Sequence, residues 1–125
     1  MRRIAVIALL LLLAACANPP PPVERHFNVF FTTNSAALEP DSRRIIDEIA
    51  IAAQQDRPAS ILVEGEADGN TPGDLELANQ RAVTVVQALI SEGIEPAKVA
   101  KTASLAPSGT TGIAAHVVHV HYVKQ

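Results

Sequence analysis

Hydrophobic residues are distributed along the chain in patterns that change with position. The first pattern, Ile4 to Leu13, is an unbroken apolar run behind Met1-Arg2-Arg3 and ahead of Ala14-Ala15-Cys16. A cationic start, about ten apolar residues and small residues at the end predict a secretory signal peptide over residues 1–15. The run is too short for a membrane-spanning helix, which needs about 20 residues. From Phe27 onward the patterns are those of strands and helices. Phe27-Asn28-Val29-Phe30-Phe31 concentrates aromatic and branched residues and predicts a first strand. Glu39-Pro40-Asp41 opens a helix with proline at its first position. Ile45, Ile49, Ala52 and Ala53 give it one apolar face, and Asp56-Arg57-Pro58 ends it. Ile61-Leu62-Val63 reads as a short strand buried on both faces, and Gly65 to Gly73 as a glycine-rich loop. Asp74 is placed to cap a second helix, with an apolar stripe of Leu75, Ala78, Ala82, Val85, Val86, Leu89 and Ile90. Gly93 stops that helix just past its last turn. Val99 to Leu105 and the alternating Val117 to Val123 supply two more strands, separated by a small-residue loop, Pro107 to Gly112.

The order strand–helix–strand–helix–strand–strand predicts an α+β fold: a small mixed sheet with two helices on one face. The crossovers imply parallel pairing, and the closing pair of strands allows an antiparallel one. A chain of 125 residues accommodates one such core. Between leader and domain, residues 16–26 carry four consecutive prolines, Pro19 to Pro22. Such a stretch is extended and stiff, rising about 3.1 Å per residue, so it reads as a spacer of roughly 30 Å. The expected organisation is a leader (1–15), a tether beginning at Cys16 (16–26) and a domain (27–125).

Composition narrows the functional classes. The formal charge is −3, from 10 Lys+Arg and 13 Asp+Glu, and loss of Arg2 and Arg3 with the leader makes it more acidic still. Nucleic-acid binding normally requires a basic surface, so nucleic acid is not an expected partner. One cysteine excludes an internal disulfide framework. That cysteine closes the string Leu13-Ala14-Ala15-Cys16, which resembles the lipobox of bacterial lipoproteins. The resemblance implies cleavage before Cys16, a lipid on its sulfur and acylation of its new amino group. Ala17 stands where an aspartate would signal inner-membrane retention, so the implied destination is the outer membrane. Several acyl chains, each methylene contributing about 0.8 kcal/mol, would anchor the protein durably where one chain would be marginal.

Candidate chemistry gathers after the second strand. Glu64, Glu66 and Asp68 cluster around Gly65 and Gly69, at the carboxyl end of a strand, where ligands tend to bind in sheets with crossovers. Arg81 is two turns into the following helix, at the border of its predicted apolar stripe, and could turn its guanidinium back toward that loop. Asp68 beside Arg81 would present one anion and one cation. Such a pair can receive the ammonium and the carboxylate of a zwitterion, or the two can simply pair with each other. His119 and His121 share a strand face and could supply two metal ligands. No third ligand is evident, so they read as a solvated face, and no cofactor or metal is expected. No nucleophile with an adjacent base appears, and no enzymatic activity is expected.

From Phe27 to Tyr122 the chain resembles the OmpA-like peptidoglycan-binding domain, the domain also found in peptidoglycan-associated lipoproteins. Val29 to Leu38 is similar to the family's opening strand and Ser-Ala-x-Leu turn. Glu64-Gly65-Glu66-Ala67-Asp68 stands at its Gly-His-Thr-Asp, and Leu77 to Ala82 at its Leu-Ser-x-x-Arg-Ala. Gly93 to Val99 matches its Gly-Val-x-x-x-Arg-Ile. The resemblance implies noncovalent binding of the diaminopimelate of a peptidoglycan stem peptide by Asp68 and Arg81, with Asp74 assisting. It implies an outer-membrane lipoprotein with its domain in the periplasm, linking membrane to wall, with other envelope proteins as possible partners. The chain also departs from the family. Glu66 replaces a histidine, and Thr32 stands where many members have an aspartate. The loop before Arg81 is about two residues short. The Asn-Arg-Arg-Val before the last strand has become Ala114-Ala115-His116-Val117. Loss of that cationic pair favours an alternative: the same fold as a non-binding scaffold or interaction module in an envelope assembly.

Overall fold

The computed structural model describes residues 18–125. The predicted leader and Cys16 lie outside the described residues. Six main elements follow in the expected order: β1 (Glu24–Phe30), α1 (Pro40–Asp56), β2 (Ile61–Ala67), α2 (Asp74–Ser91), β3 (Val99–Leu105) and β4 (Val117–Val123). Short 3-10 turns at Pro96–Lys98 and Gly112–Ala115 precede β3 and β4.

The sheet order is β1-β4-β2-β3. β4 is central and antiparallel to both β1 and β2, while β2 and β3 pair in parallel across the α2 crossover. The antiparallel partners of the last strand are therefore β1 and β2, and not β3 as the closing pair suggested. Both helices pack on one face. The shared core includes Val29, Ile46, Ile49, Ile61, Val63, Val85, Leu89, Val118 and Val120. The other face is uncovered and carries His26, Asn28, Leu62, Glu64, Glu66, His119 and His121, all at least partly exposed.

Two boundaries and one helix face differ from the pattern-based expectation. β1 begins at Glu24, because residues 24–26 pair with Val123, Tyr122 and His121; the tether reading of those three residues is thereby corrected. β2 continues to Ala67, and its burial alternates instead of being two-sided. Ile61, Val63, Gly65 and Ala67 face the helices, while Leu62, Glu64 and Glu66 face outward. Those glutamates belong to a half-covered strand and not to the loop. In α1 the buried stripe is Ser42, Ile46, Ile49, Ala50, Ala53 and Asp56, one position round from the expected Ile45 and Ala52.

Gly65 sets how close α2 lies to the sheet. A β-carbon there would stand 2.1 Å from the Ala78 carbonyl oxygen and 3.1 Å from the Ala82 β-carbon. Only glycine permits that approach. Gly93 ends α2 as expected: its φ is +99°, and Ile94 N–H donates to the Leu89 carbonyl at 3.1 Å in a Schellman-type closure.

Candidate functional site

The β1/β4 and β2/β4 registers bring Phe30, Val117 and the end of β2 to one edge of the sheet. Three connections therefore meet there: residues 31–38, residues 68–73 and the turn before β4. A small cavity of about 50 Å³ lies between them, lined by Asn34, Asp68, Asn70, Thr71, Asp74, Leu77, Arg81 and His116. All three predicted binding residues, Asp68, Asp74 and Arg81, border it.

Arg81 does not sit where the apolar pattern put it. It is 0% exposed and belongs to the buried stripe of α2 with Ala78, Ala82, Val85 and Leu89, whereas Leu75 is 53% exposed. Counting Leu75 as core had rotated the expected stripe away from Arg81. A guanidinium can occupy the interior because its donors are used. Nε donates to Ser35 O at 2.9 Å, Nη1 to Glu66 O at 2.9 Å and Nη2 to Thr32 O at 3.1 Å. One side chain thus ties the connection after β1 to the end of β2. The Phe31 ring lies beneath it, 5.6 Å from the guanidinium carbon, a cation–π arrangement. Burial pulls its pKa below the ordinary guanidinium value, and the charges of Asp68 and Asp74 oppose that shift. Three of its five N–H groups are committed to carbonyls, and two are not.

Asp74 does not cap α2. It is the first residue of the helix, and Gly73 in the cap position makes no side-chain bond. The Asp74 carboxylate instead turns back onto the loop, accepting from Thr71 N–H and from the Thr71 hydroxyl, both at 2.7 Å. Hydrogen bonds from Thr71, supported by the Asn70 and Gly69 amides, hold its pKa below the usual carboxylate value against the opposing effect of burial. Asp74 therefore shapes the wall of the cavity.

Asp68 and Arg81 share the cavity without forming an ion pair. Asp68 contacts His116, whose Nε2 lies 2.6 Å from Asp68 Oδ1. That contact lies off the ring N–H axis, so the buried Oδ1 has no well-aligned donor. The Asp68 side chain as a whole is 29% exposed, while Oδ1 itself is buried. The backbone of His116 is fixed by Phe31 N–H donating to its carbonyl at 2.8 Å and by its own N–H donating to Ile113 O at 3.1 Å. The cavity is therefore bordered by one carboxylate oxygen lacking an aligned donor and one guanidinium with two N–H groups unclaimed by carbonyls, both buried. This is the donor and acceptor set for an ammonium and a carboxylate.

A family model described as the OmpA family matches residues 30–113. The chain belongs to the OmpA family. Outer membrane protein A of Bordetella avium is 28% identical over 74 residues, spanning 58% of this chain and only 38% of that protein. The OmpA-like domain of FopA1 from Francisella tularensis superposes with a TM-score of 0.74 at 16% identity, covering 86% of this chain and 77% of that one. The peptidoglycan-associated lipoprotein of Burkholderia pseudomallei gives 0.65 at 18% identity, covering 78% and 89%. The periplasmic domain of Helicobacter pylori MotB gives 0.65 at 21% identity, covering 86% and 79%. The three solved structures thus share this fold.

At the opposite end of this OmpA-family domain, a second buried carboxylate escaped the sequence reading. Asp56 accepts from Arg25 Nε at 3.1 Å and Tyr122 Oη at 3.1 Å, with Lys124 Nζ at 3.3 Å. Burial pushes its pKa up, but the Tyr122, Lys124 and Arg25 bonds outweigh that and leave it lowered. Burial and the same carboxylate push the Tyr122 hydroxyl up to about 12. On the open face, His119 and His121 do share a side, 3.4 Å from Glu66 and 3.5 Å from Glu64. Among the described residues no three His, Cys, Asp or Glu side chains are grouped to hold a metal ion.

Proposed function

We propose that this protein is an outer-membrane lipoprotein, anchored through Cys16, whose periplasmic domain binds peptidoglycan noncovalently at the Asp68–Arg81 cavity. In this reading the ammonium of a diaminopimelate side chain meets Asp68, and the adjoining carboxylate takes the two free N–H groups of Arg81. Asp74 holds the loop that shapes the entrance. The observation that carries the proposal is the buried Asp68 oxygen without an aligned donor, in the same cavity as a guanidinium with donors to spare. Membership of the OmpA family supports it, as does the likeness to a peptidoglycan-associated lipoprotein. A cavity of about 50 Å³ suits the charged end of a side chain, with the rest of the ligand lying outside.

The test is co-sedimentation of the domain with purified sacculi. Wild type is expected in the pellet and Asp68→Ala in the supernatant; a wild type that stays soluble refutes wall binding. Anchoring is tested separately by detergent partitioning of the full chain, which Cys16→Ser should abolish. One observation favours the scaffold alternative: Arg81 already ties two connections together, a role that needs no ligand. On that reading, wild type fails to sediment and elutes with envelope proteins instead.

A further inference from the structure

We infer that His116 is an exchangeable counterion of Asp68: neutral, it leaves the carboxylate to a cationic ligand group, and protonated, it occupies the carboxylate in that group's place. The inference rests on the Asp68–Arg81 cavity being the ligand site and adds to it a residue that governs when the site is available.

The geometry carries it. The ring Nε2 is already 2.6 Å from Asp68 Oδ1, at the distance of a charge-assisted contact. His116 is only 8% exposed, so its ring is packed into the wall of the cavity, and its backbone is held by hydrogen bonds at both N–H and carbonyl. The charged groups facing the cavity are Asp68 at the end of β2 and Asp74 and Arg81 on α2; the connection after β1 contributes only the uncharged Asn34. With His116 neutral, these sum to one negative charge, which favours an ammonium. A proton on His116 cancels that charge and supplies Asp68 with a cation from within the chain. Imidazoles change charge within the range of about pH 5 to 8, so this exchange can operate under ordinary conditions. A ligand ammonium and the His116 proton then compete for one oxygen. Competition of this kind is reciprocal: the proton weakens the ligand, and the ligand weakens the proton.

The experiment is an NMR titration of the domain with diaminopimelate at pH 8.0, 6.5 and 5.5, repeated on His116→Gln. Wild-type affinity is expected to fall about tenfold or more from pH 8.0 to 5.5, with a slope of at most one proton. The variant is expected to bind at all three values with less than a threefold change. A parallel slope in the two proteins overturns the inference, because the titrating group is then elsewhere. Absence of wild-type binding at every pH, to diaminopimelate and to sacculi alike, overturns the ligand site itself. A second readout needs no variant. The His116 ring resonances of wild type should titrate at lower pH when diaminopimelate is saturating, and an unchanged or raised midpoint overturns the competition.

Discussion

Two carboxylates stand at opposite ends of the same sheet, Asp56 buried and Asp68 partly exposed with one oxygen buried, and they are used differently. Asp56 is surrounded by Arg25, Tyr122 and Lys124 and ties the end of α1 to β1 and β4. Asp68 has one off-axis imidazole contact and an oxygen with no aligned donor. A carboxylate whose acceptor sites are filled by its own chain stabilises the fold. A carboxylate left short of donors is costly to bury and retains the capacity to bind something else. On the proposed function, the donors around each acid, more than its burial, separate the structural carboxylate from the ligand-binding one.

The comparison can be broken most forcefully at Arg81, which serves both roles. Arg81→Ala leaves three carbonyls without their donor and Asp68 and Asp74 without their buried cation. It should cost about 3–5 kcal/mol in urea unfolding. A loss below about 1 kcal/mol would show that water replaces the guanidinium at little cost. Gly65→Ala comes next. Its β-carbon meets the Ala78 carbonyl, so α2 must move off the sheet, at a cost of about 3 kcal/mol. Because α2 carries Arg81 and Asp74, the same variant should also distort the cavity, seen as shifts in the loop amides by NMR.

Asp56→Asn sharpens the comparison through pH. The folded-state pKa values of Asp56 and Asp74 are lowered, so their stabilisation is complete above the ordinary carboxylate range. It is lost as pH falls through those lowered values. Stability should therefore decline on acidification below about pH 4, and Asp56→Asn should be less stable at pH 7 and show a shallower acid limb. A wild-type midpoint that is flat from pH 7 to pH 3 would contradict this. Asp68→Asn should have the smallest effect on stability, within about 0.5 kcal/mol of wild type, since the one contact Asp68 makes across elements, to His116, lacks an aligned donor.

Much of the fold was legible because it depends on local pattern. Pro40 at a helix start, Gly93 past a helix end and the alternation of Val118, Val120 and Tyr122 each state their element directly. The order of the strands in the sheet was not legible in the same way. Adjacency of β4 to β1 and β2 is decided by long-range pairing, which no local period records. The site was legible as a set of residues but not as a geometry. Arg81 looked peripheral because hydrophobic counting includes Leu75, which is exposed, and discounts a guanidinium, which can be buried when carbonyls surround it. Glu64 and Glu66 looked like loop acids because Gly65 reads as a breaker, when its function is to admit α2. Asp56 gave no signal at all, since its three partners come from the two ends of the domain.

The central claim is that the unfilled acceptor at Asp68 is kept for a ligand. Sedimentation with sacculi of the isosteric Asp68→Asn variant, which alters charge but hardly shape, tests it most directly. The account predicts that at pH 8 the variant remains folded and loses at least tenfold in binding relative to wild type. Retention of binding within twofold would contradict it.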